Sequence, residues 1–128
     1  MAKDFIAVID DDASVREAIS DLVAVRGFAV DTFDSAESFL GTQSALDASC
    51  IIVDVQMPGM SGIELHRQLL AEGRSIPTIF ITAFPQKEAW DRLLRQGACG
   101  YLGKPIREET LVDCIHRAVA EKDATPDA

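Results

Sequence analysis

An α/β fold of three layers, with five βα repeats around a parallel sheet, is what this sequence predicts, and three observations carry the prediction. Short β-branched runs alternate with longer stretches of helical period along nearly the whole chain. The strand-like runs are almost wholly apolar, as strands covered on both faces must be. A chain of 128 residues with 48% hydrophobic content can also bury a single core, which argues against intrinsic disorder.

Phe5-Ile6-Ala7-Val8-Ile9 is the first strand, and it stops at three aspartates, Asp10, Asp11 and Asp12. Ser14 is a good N-cap with Glu17 three residues on. Val15, Ala18, Ile19, Leu22 and Val23 then recur at helical spacing as far as Gly27. Phe28 to Phe33 reads as the second strand. Asp34 or Ser35 caps a short helix holding Ala36, Phe39 and Leu40, and Gly41 to Ala48 reads as a polar stretch. Ser49 to Asp54 is another apolar run that ends in a carboxylate.

Met57-Pro58-Gly59-Met60-Ser61-Gly62 is a loop, after which Ile63, Leu65, Leu69 and Leu70 mark a third helix closing at Gly73. Ile76 to Thr82 is the fourth strand, with Pro77 near its start, where a missing N–H is tolerated. A fourth helix spans Gln86 to Gln96 and is closed by Gly97. Gly100 to Gly103 is a fifth strand rich in small residues. The last helix runs from Arg107 to Glu121 with Leu111, Ile115, Ala118 and Val119 on its inner face. One domain therefore covers residues 4–121, and the polar tail 122–128 reads as the start of a linker or a frayed end.

Composition narrows the function classes. Twelve Lys plus Arg stand against 21 Asp plus Glu, a formal charge of −9, and no basic run exists. A phosphate backbone needs clustered cations, so direct nucleic-acid binding by this chain is disfavoured. No apolar stretch approaches the roughly 20 residues that span a bilayer, and Met1-Ala2-Lys3-Asp4 is no apolar leader, so a cytoplasmic protein without membrane contact is expected. Cys50, Cys99 and Cys114 form no Cys-x-x-Cys pair, are odd in number and sit in apolar contexts, which suits inert buried thiols.

The chemistry concentrates at the strand ends. In an open α/β sheet, ligands bind outside the carboxyl ends of the strands. Here the first strand ends in Asp10-Asp11-Asp12, the third in Asp54 and the fourth in Thr82, and the fifth is followed by Lys104. Carboxylates converging in one crevice repel one another and need a cation or raised pKa values. A divalent metal is the economical answer. All-oxygen ligands suit Mg²⁺, or Mn²⁺ in its place, and the lack of His or Cys at these positions speaks against zinc. The metal and Lys104 together would balance Asp10, Asp11 and Asp54.

The set Ile9-Asp10-Asp11-Asp12, Val53-Asp54 with Met57-Pro58 and Gly62, Thr82-Ala83, and Lys104-Pro105 closely resembles the receiver domain of bacterial two-component response regulators. The spacing is most similar to receivers that precede helix-turn-helix transcription output. The resemblance implies a flavodoxin-like fold with sheet order 2-1-3-4-5. It implies that Asp54 accepts a phosphoryl group, with a sensor histidine kinase or a phosphotransfer protein as donor.

The remaining roles follow from the same likeness. Asp11, Asp54 and the backbone carbonyl of Gln56 would bind Mg²⁺, with Asp10 acting through a metal-bound water. Lys104 would pair with Asp54 and then with the phosphoryl oxygens. Thr82 would donate its hydroxyl to them, and Tyr101 would move inward behind it. Ala83 and Pro105 support these residues, the Lys104-Pro105 bond is implied to be cis, and Gln56 and Phe84 border the path of the hydrolytic water. The output would be a changed surface on the fourth helix, fifth strand and fifth helix. A homodimer through that face, or through the first and last helices, is also compatible with the family.

Other readings compete with these. A Mg²⁺-dependent phosphohydrolase also uses an Asp nucleophile after a strand but places an acid two residues on, where this chain has Gln56, so turnover on external substrates is not expected. A nucleotide-binding domain would need a Gly-rich turn where aspartates stand. A degenerate receiver serving only as an interaction surface sits poorly with an intact acid set. Asp12 has a simpler role available at a helix start. Trp90 lies on one stripe with Leu93, Leu94 and Gly97 and reads as core packing first and interface second. His66 and His116 read as solvent-side or helix-packing residues, and Met57 and Met60 as gap fillers.

Overall fold

The computed structural model describes residues 5–124, with side chains to Glu121. Five strands, β1 (Phe5–Ile9), β2 (Ala29–Phe33), β3 (Cys50–Asp54), β4 (Thr78–Thr82) and β5 (Gly100–Gly103), alternate with helices α1 (Ala13–Val25), α2 (Ala36–Leu40), α3 (Gly62–Ala71), α4 (Lys87–Arg95) and α5 (Glu108–Ala124). All pairings are parallel, in the order β2-β1-β3-β4-β5. Among the described residues no helix is long and apolar enough to cross a membrane.

The period-two alternation of the strands divides the core between the two faces of the sheet. Ala7, Ile9, Ile51, Val53 and Phe80 face Phe39 of α2, Leu65 and Leu69 of α3 and Leu93 of α4. Ile6, Val8, Ile52, Ile79 and Ile81 face Ile19 and Val23 of α1 and Leu111, Ile115 and Ala118 of α5. The large side chains here, such as Ile6, Ile52, Phe39, Leu65 and Leu111, are fully buried, each worth about 1.5–3 kcal/mol relative to exposure. The edge strand β2 has exposed Asp31 and Thr32 on one stretch, while β3 and β4 are buried throughout.

Several local features differ from the sequence reading. Asp12, not Ser14, caps α1: its carboxylate accepts the backbone N–H groups of Ser14 and Val15. A carboxylate beats a hydroxyl at this point because it meets two free N–H groups at the positive end of the helix. Of the two candidates before α2, Ser35 is the cap, accepting from Ser38 N–H. The stretch read as merely polar contains a 3₁₀ turn over Gln43–Asp47 that buries Ala45, because Ala45 and Leu46 close the core beside α2. The second, third and fourth strands each begin one or two residues later than read. Helix α5 passes Glu121 and stays helical through Ala124, so the tail read at 122–128 begins inside the helix. Residues 125–128 and the domain start at Asp4 lie outside the described residues.

Trp90 is not a core residue. It is 37% exposed, and its ring meets Tyr101 edge-on at 5.7 Å. His66 packs into the core, its ring against Phe80 at 5.4 Å, with burial holding its pKa down. His116 is exposed and tilts over Phe28. Cys50 and Cys114 are buried and Cys99 half-buried. Burial first, and then the Glu121 carboxylate that accepts its S–H, pushes the Cys99 thiol up to about 12, so it too is poorly nucleophilic.

One ion pair joins the two helices on the same face, Arg26 after α1 to Glu108 of α5 at 3.0 Å, with both side chains well exposed. Exposed pairs contribute little, so Arg26→Ala is expected to shift the urea-unfolding free energy by no more than about 0.5 kcal/mol. A loss of about 2 kcal/mol would show that this contact does more than pair two solvated charges.

Candidate functional site

The register of the parallel sheet brings the polar strand ends level. Ile9 pairs with Val53, Asp54 with Ile81 and Thr82 with Gly103, so Asp10, Asp54, Thr82 and Lys104 emerge along one edge. The backbone after β5 is tied to that edge by Lys104 N–H, which donates to the Thr82 carbonyl at 2.7 Å.

Asp10 is 0% exposed, and Asp54 and Thr82 are buried as well, whereas Asp11 is exposed. Each buried carboxylate has compensation. Asp10 Oδ1 accepts Asp12 N–H at 2.9 Å, and its Oδ2 accepts the Lys104 ammonium at 3.0 Å. Asp54 Oδ1 accepts Gln56 N–H at 3.2 Å, and Oδ2 accepts the same ammonium at 3.3 Å. Lys104 therefore bridges two carboxylates, and the partner it was expected to have, Asp54, is the longer of the two contacts.

The pKa directions express this balance. Burial first, then the neighbouring Asp10 charge, holds the Asp54 carboxyl above the usual carboxylate range, while Gln56 N–H and Lys104 pull it back. Burial works to lower the Lys104 pKa, but the hydrogen bond and charge of Asp10, followed by those of Asp54, outweigh it and leave the ammonium more firmly protonated.

Carboxylate oxygens of Asp10, Asp11 and Asp54 lie within 4.8 Å of one another. This is a hard, all-oxygen donor set with one exposed member open to solvent, and it fits Mg²⁺ or Mn²⁺, which take carboxylates and retain waters. Asp12 is not a member of the set, and its carboxylate is engaged at the start of α1.

The other sequence-derived residues gather around the same edge. Thr82 Oγ1 accepts Phe84 N–H at 3.1 Å, and Ala83 and Phe84 are exposed on the loop that follows. The Lys104-Pro105 peptide is cis. Tyr101 lies inward, with its hydroxyl oxygen accepting Gln86 N–H at 3.0 Å at the start of α4. Gln56, two residues beyond β3, is exposed, and Met57 packs into the core.

Arg16 escaped the sequence reading, and so did the contact that Gly62 makes. Arg16, one turn into α1, donates to the Asp10 carbonyl at 2.7 Å. Its spacing from the aspartates was the available signal, but a helical Arg four positions after the cap is ordinarily solvated. Gly62 was noticed only as part of a motif. A Cβ there would run into the Asp54 carbonyl oxygen and lie 3.2 Å from Val53 Cγ2, so α3 starts directly against the end of β3.

Comparison with known proteins places the chain in a family. A family profile for the response regulator receiver domain matches residues 6–116. The chain is 40% identical over 114 residues to response regulator protein TmoT of Ectopseudomonas mendocina, covering 89% of this chain and 52% of that one. It is 33% identical over 121 residues to transcriptional regulatory protein FixJ of Bradyrhizobium diazoefficiens, covering 94% and 59%. The chain thus spans about half the length of the curated relatives it matches. Among solved structures, response regulator StyR superimposes with a TM-score of 0.85 at 40% identity, covering 95% of this chain and 62% of that one. FixJ-N superimposes with 0.83 at 28%, covering both chains fully. Sheet order, acidic edge and profile converge, and the chain belongs to the response regulator receiver domain family.

Proposed function

We propose that this receiver is a phosphorylation-driven switch in which Asp54 is the acceptor. The observation that carries the reading is the Lys104 ammonium held between Asp10 and Asp54 at 3.0 and 3.3 Å beside a three-carboxylate oxygen set. A carboxylate oxygen of Asp54 attacks the phosphorus of a phosphohistidine or small acyl phosphate. The bond to the donor breaks, the donor keeps the electron pair, and an acyl phosphate forms on Asp54. Asp11, Asp54 and the Gln56 carbonyl would hold Mg²⁺, with Asp10 acting through a metal-bound water, and the ion would supply charge neutralisation for the transferring group. Lys104 balances two carboxylates before transfer and has a stronger partner in the phosphoryl oxygens after it.

The added charge and three acceptor oxygens also offer the Thr82 hydroxyl a partner in competition with its contact to Phe84 N–H. Thr82 begins the loop that leads to Gln86, and Tyr101 is bonded to Gln86 N–H, so a shift there reaches the face formed by α4, β5 and α5. An apolar groove of about 340 Å³ between Val15, Ala18 and Leu22 of α1 and Pro105 and Ile106 lies beside Lys104. It offers a histidine kinase or phosphotransfer protein a docking surface next to the acceptor. Output control through a longer regulator, as the name of FixJ suggests for that relative, belongs to the same proposal.

Incubation with Mg²⁺ and a small acyl-phosphate donor is expected to add one phosphoryl group by intact mass, and Asp54→Asn is expected to add none. An adduct that forms equally without Mg²⁺ or persists in Asp54→Asn would overturn the assignment. Catalytic release of many equivalents of phosphate from simple esters would replace the switch with a phosphohydrolase.

A further inference from the structure

We propose that Glu37, on the short helix α2, is a positioning residue for the phosphorylation site, setting the Mg²⁺ affinity of that site by clamping the loop between β3 and α3. This rests on the proposed phosphoacceptor chemistry and adds to it a residue that lies outside the acid set and its strand ends.

The loop is secured at both roots. Val55 N–H donates to the Ile81 carbonyl at 2.9 Å, Gly62 N–H donates to the Val55 carbonyl at 3.2 Å, and Ser61 and Glu64 form a reciprocal capping box at the start of α3. The tip, Pro58-Gly59-Met60, projects beyond these anchors. There Glu37 reaches across from α2, and its Oε2 accepts Met60 N–H at 3.1 Å. The same carboxylate lies over Gly59, where a Cβ would come within 2.6 Å of it, and Gly59 has φ +77°. The tip has therefore shaped itself around this side chain: a residue that tolerates the left-handed region also leaves room for the carboxylate.

Glu37 itself is well placed to hold still. It sits in the first turn of α2, whose cap Ser35 is bonded to Ser38 N–H at 3.0 Å, and its neighbours Ala36 and Phe39 are buried, with Phe39 edge-on to Phe33 at 5.4 Å. The loop's first residues carry the chemistry. Gln56 donates its N–H to Asp54 Oδ1, and its carbonyl is the one backbone oxygen in the proposed metal set. Holding the tip limits the arc through which that carbonyl swings, and supports of this kind around metal ligands change affinity without touching the ion. Glu37 contacts none of the reacting atoms.

The test compares the parent, Glu37→Ala and Glu37→Gln by calorimetric Mg²⁺ titration, with the phosphorylation rate measured as a function of Mg²⁺. Glu37→Ala is expected to weaken Mg²⁺ binding about fivefold, the size of one ordinary hydrogen bond. Phosphorylation should slow at low Mg²⁺ and recover at saturating Mg²⁺, with the melting temperature little changed. Glu37→Gln keeps an acceptor oxygen without the charge and is expected to restore affinity to within about twofold. Affinity in Glu37→Ala within twofold of the parent would overturn the proposal. So would a weakening that Glu37→Gln shares in full, which would make the effect one of charge and not of position. If the parent itself neither binds Mg²⁺ nor phosphorylates, the acceptor reading fails instead, and that outcome is distinct because it precedes any difference between variants.

Discussion

Gly62→Ala is expected to lower stability by about 3 kcal/mol, a fall of roughly 10 °C in melting temperature for a domain of this size. The added Cβ would overlap the Asp54 carbonyl oxygen and press on Val53. Neither can yield cheaply. Asp54 ends β3, the central strand, with β1 bonded on one side and β4 on the other. Gly62 is in turn tied to Val55 and opens α3, whose Leu65 and Leu69 are buried against the sheet. The strain must therefore move the acceptor residue or lift the helix, and Mg²⁺-dependent phosphorylation should fall together with stability.

Gly73→Ala is the control. Gly73 has φ +76° but nothing within 4 Å of its Cβ position, so only the backbone conformation is penalised, at about 1 kcal/mol, and phosphorylation is unaffected. Equal losses from the two substitutions in thermal melts would mean that the contact between Gly62 and Asp54 does not govern the site.

Lys104→Met is expected to cost about 2–3 kcal/mol at pH 7, because it removes the cation from between two buried carboxylates and leaves them facing each other with only backbone N–H donors. The effect depends on Asp54. With its pKa held above the ordinary carboxylate value, the stability linked to Asp54 is present in acid, below that ordinary value. It is lost as the pH rises through the raised one. Removing Lys104 raises that pKa further, widening the window over which stability declines toward neutral pH.

Asp54→Asn deletes the titration, so it should stabilise the parent at neutral pH and recover much of the loss in Lys104→Met, giving a clearly non-additive double variant. The Lys104 contribution itself, whose pKa is raised by Asp10 and Asp54, should persist through neutral pH and disappear only above the ordinary lysine value. Urea unfolding of the four proteins from acid to alkaline pH checks both signs. A loss under about 0.5 kcal/mol in Lys104→Met, or strict additivity with Asp54→Asn, would show that the ammonium does not balance these carboxylates.

Much of this could be read in the chain. Apolar runs such as Ile51-Ile52-Val53 report strands covered on both faces, because burial on both sides leaves no position for a polar side chain. Chemistry at a sheet edge must come from strand ends, so Asp10, Asp54, Thr82 and Lys104 stood out against apolar neighbours. Boundaries were less legible. The choice between Asp12 and Ser14 as a cap turns on which oxygen meets the free N–H groups, and both residues are competent caps. Trp90 reads as a core residue on helical period alone, yet α4 buries Leu93 and leaves Trp90 and Leu94 partly out, an orientation decided by packing against β5.

Sequence by itself determined the fold class, the order of elements and the residue types at the acidic edge, because those follow from local period and from the polarity that burial permits. Tertiary structure alone decided how the charges are shared: Lys104 nearer Asp10 than Asp54, Arg16 on the Asp10 carbonyl, Glu37 on the Met60 N–H and Gly62 against the Asp54 backbone. These contacts join residues from different elements, and their separations are set by strand register and helix docking, which no local pattern of side chains encodes.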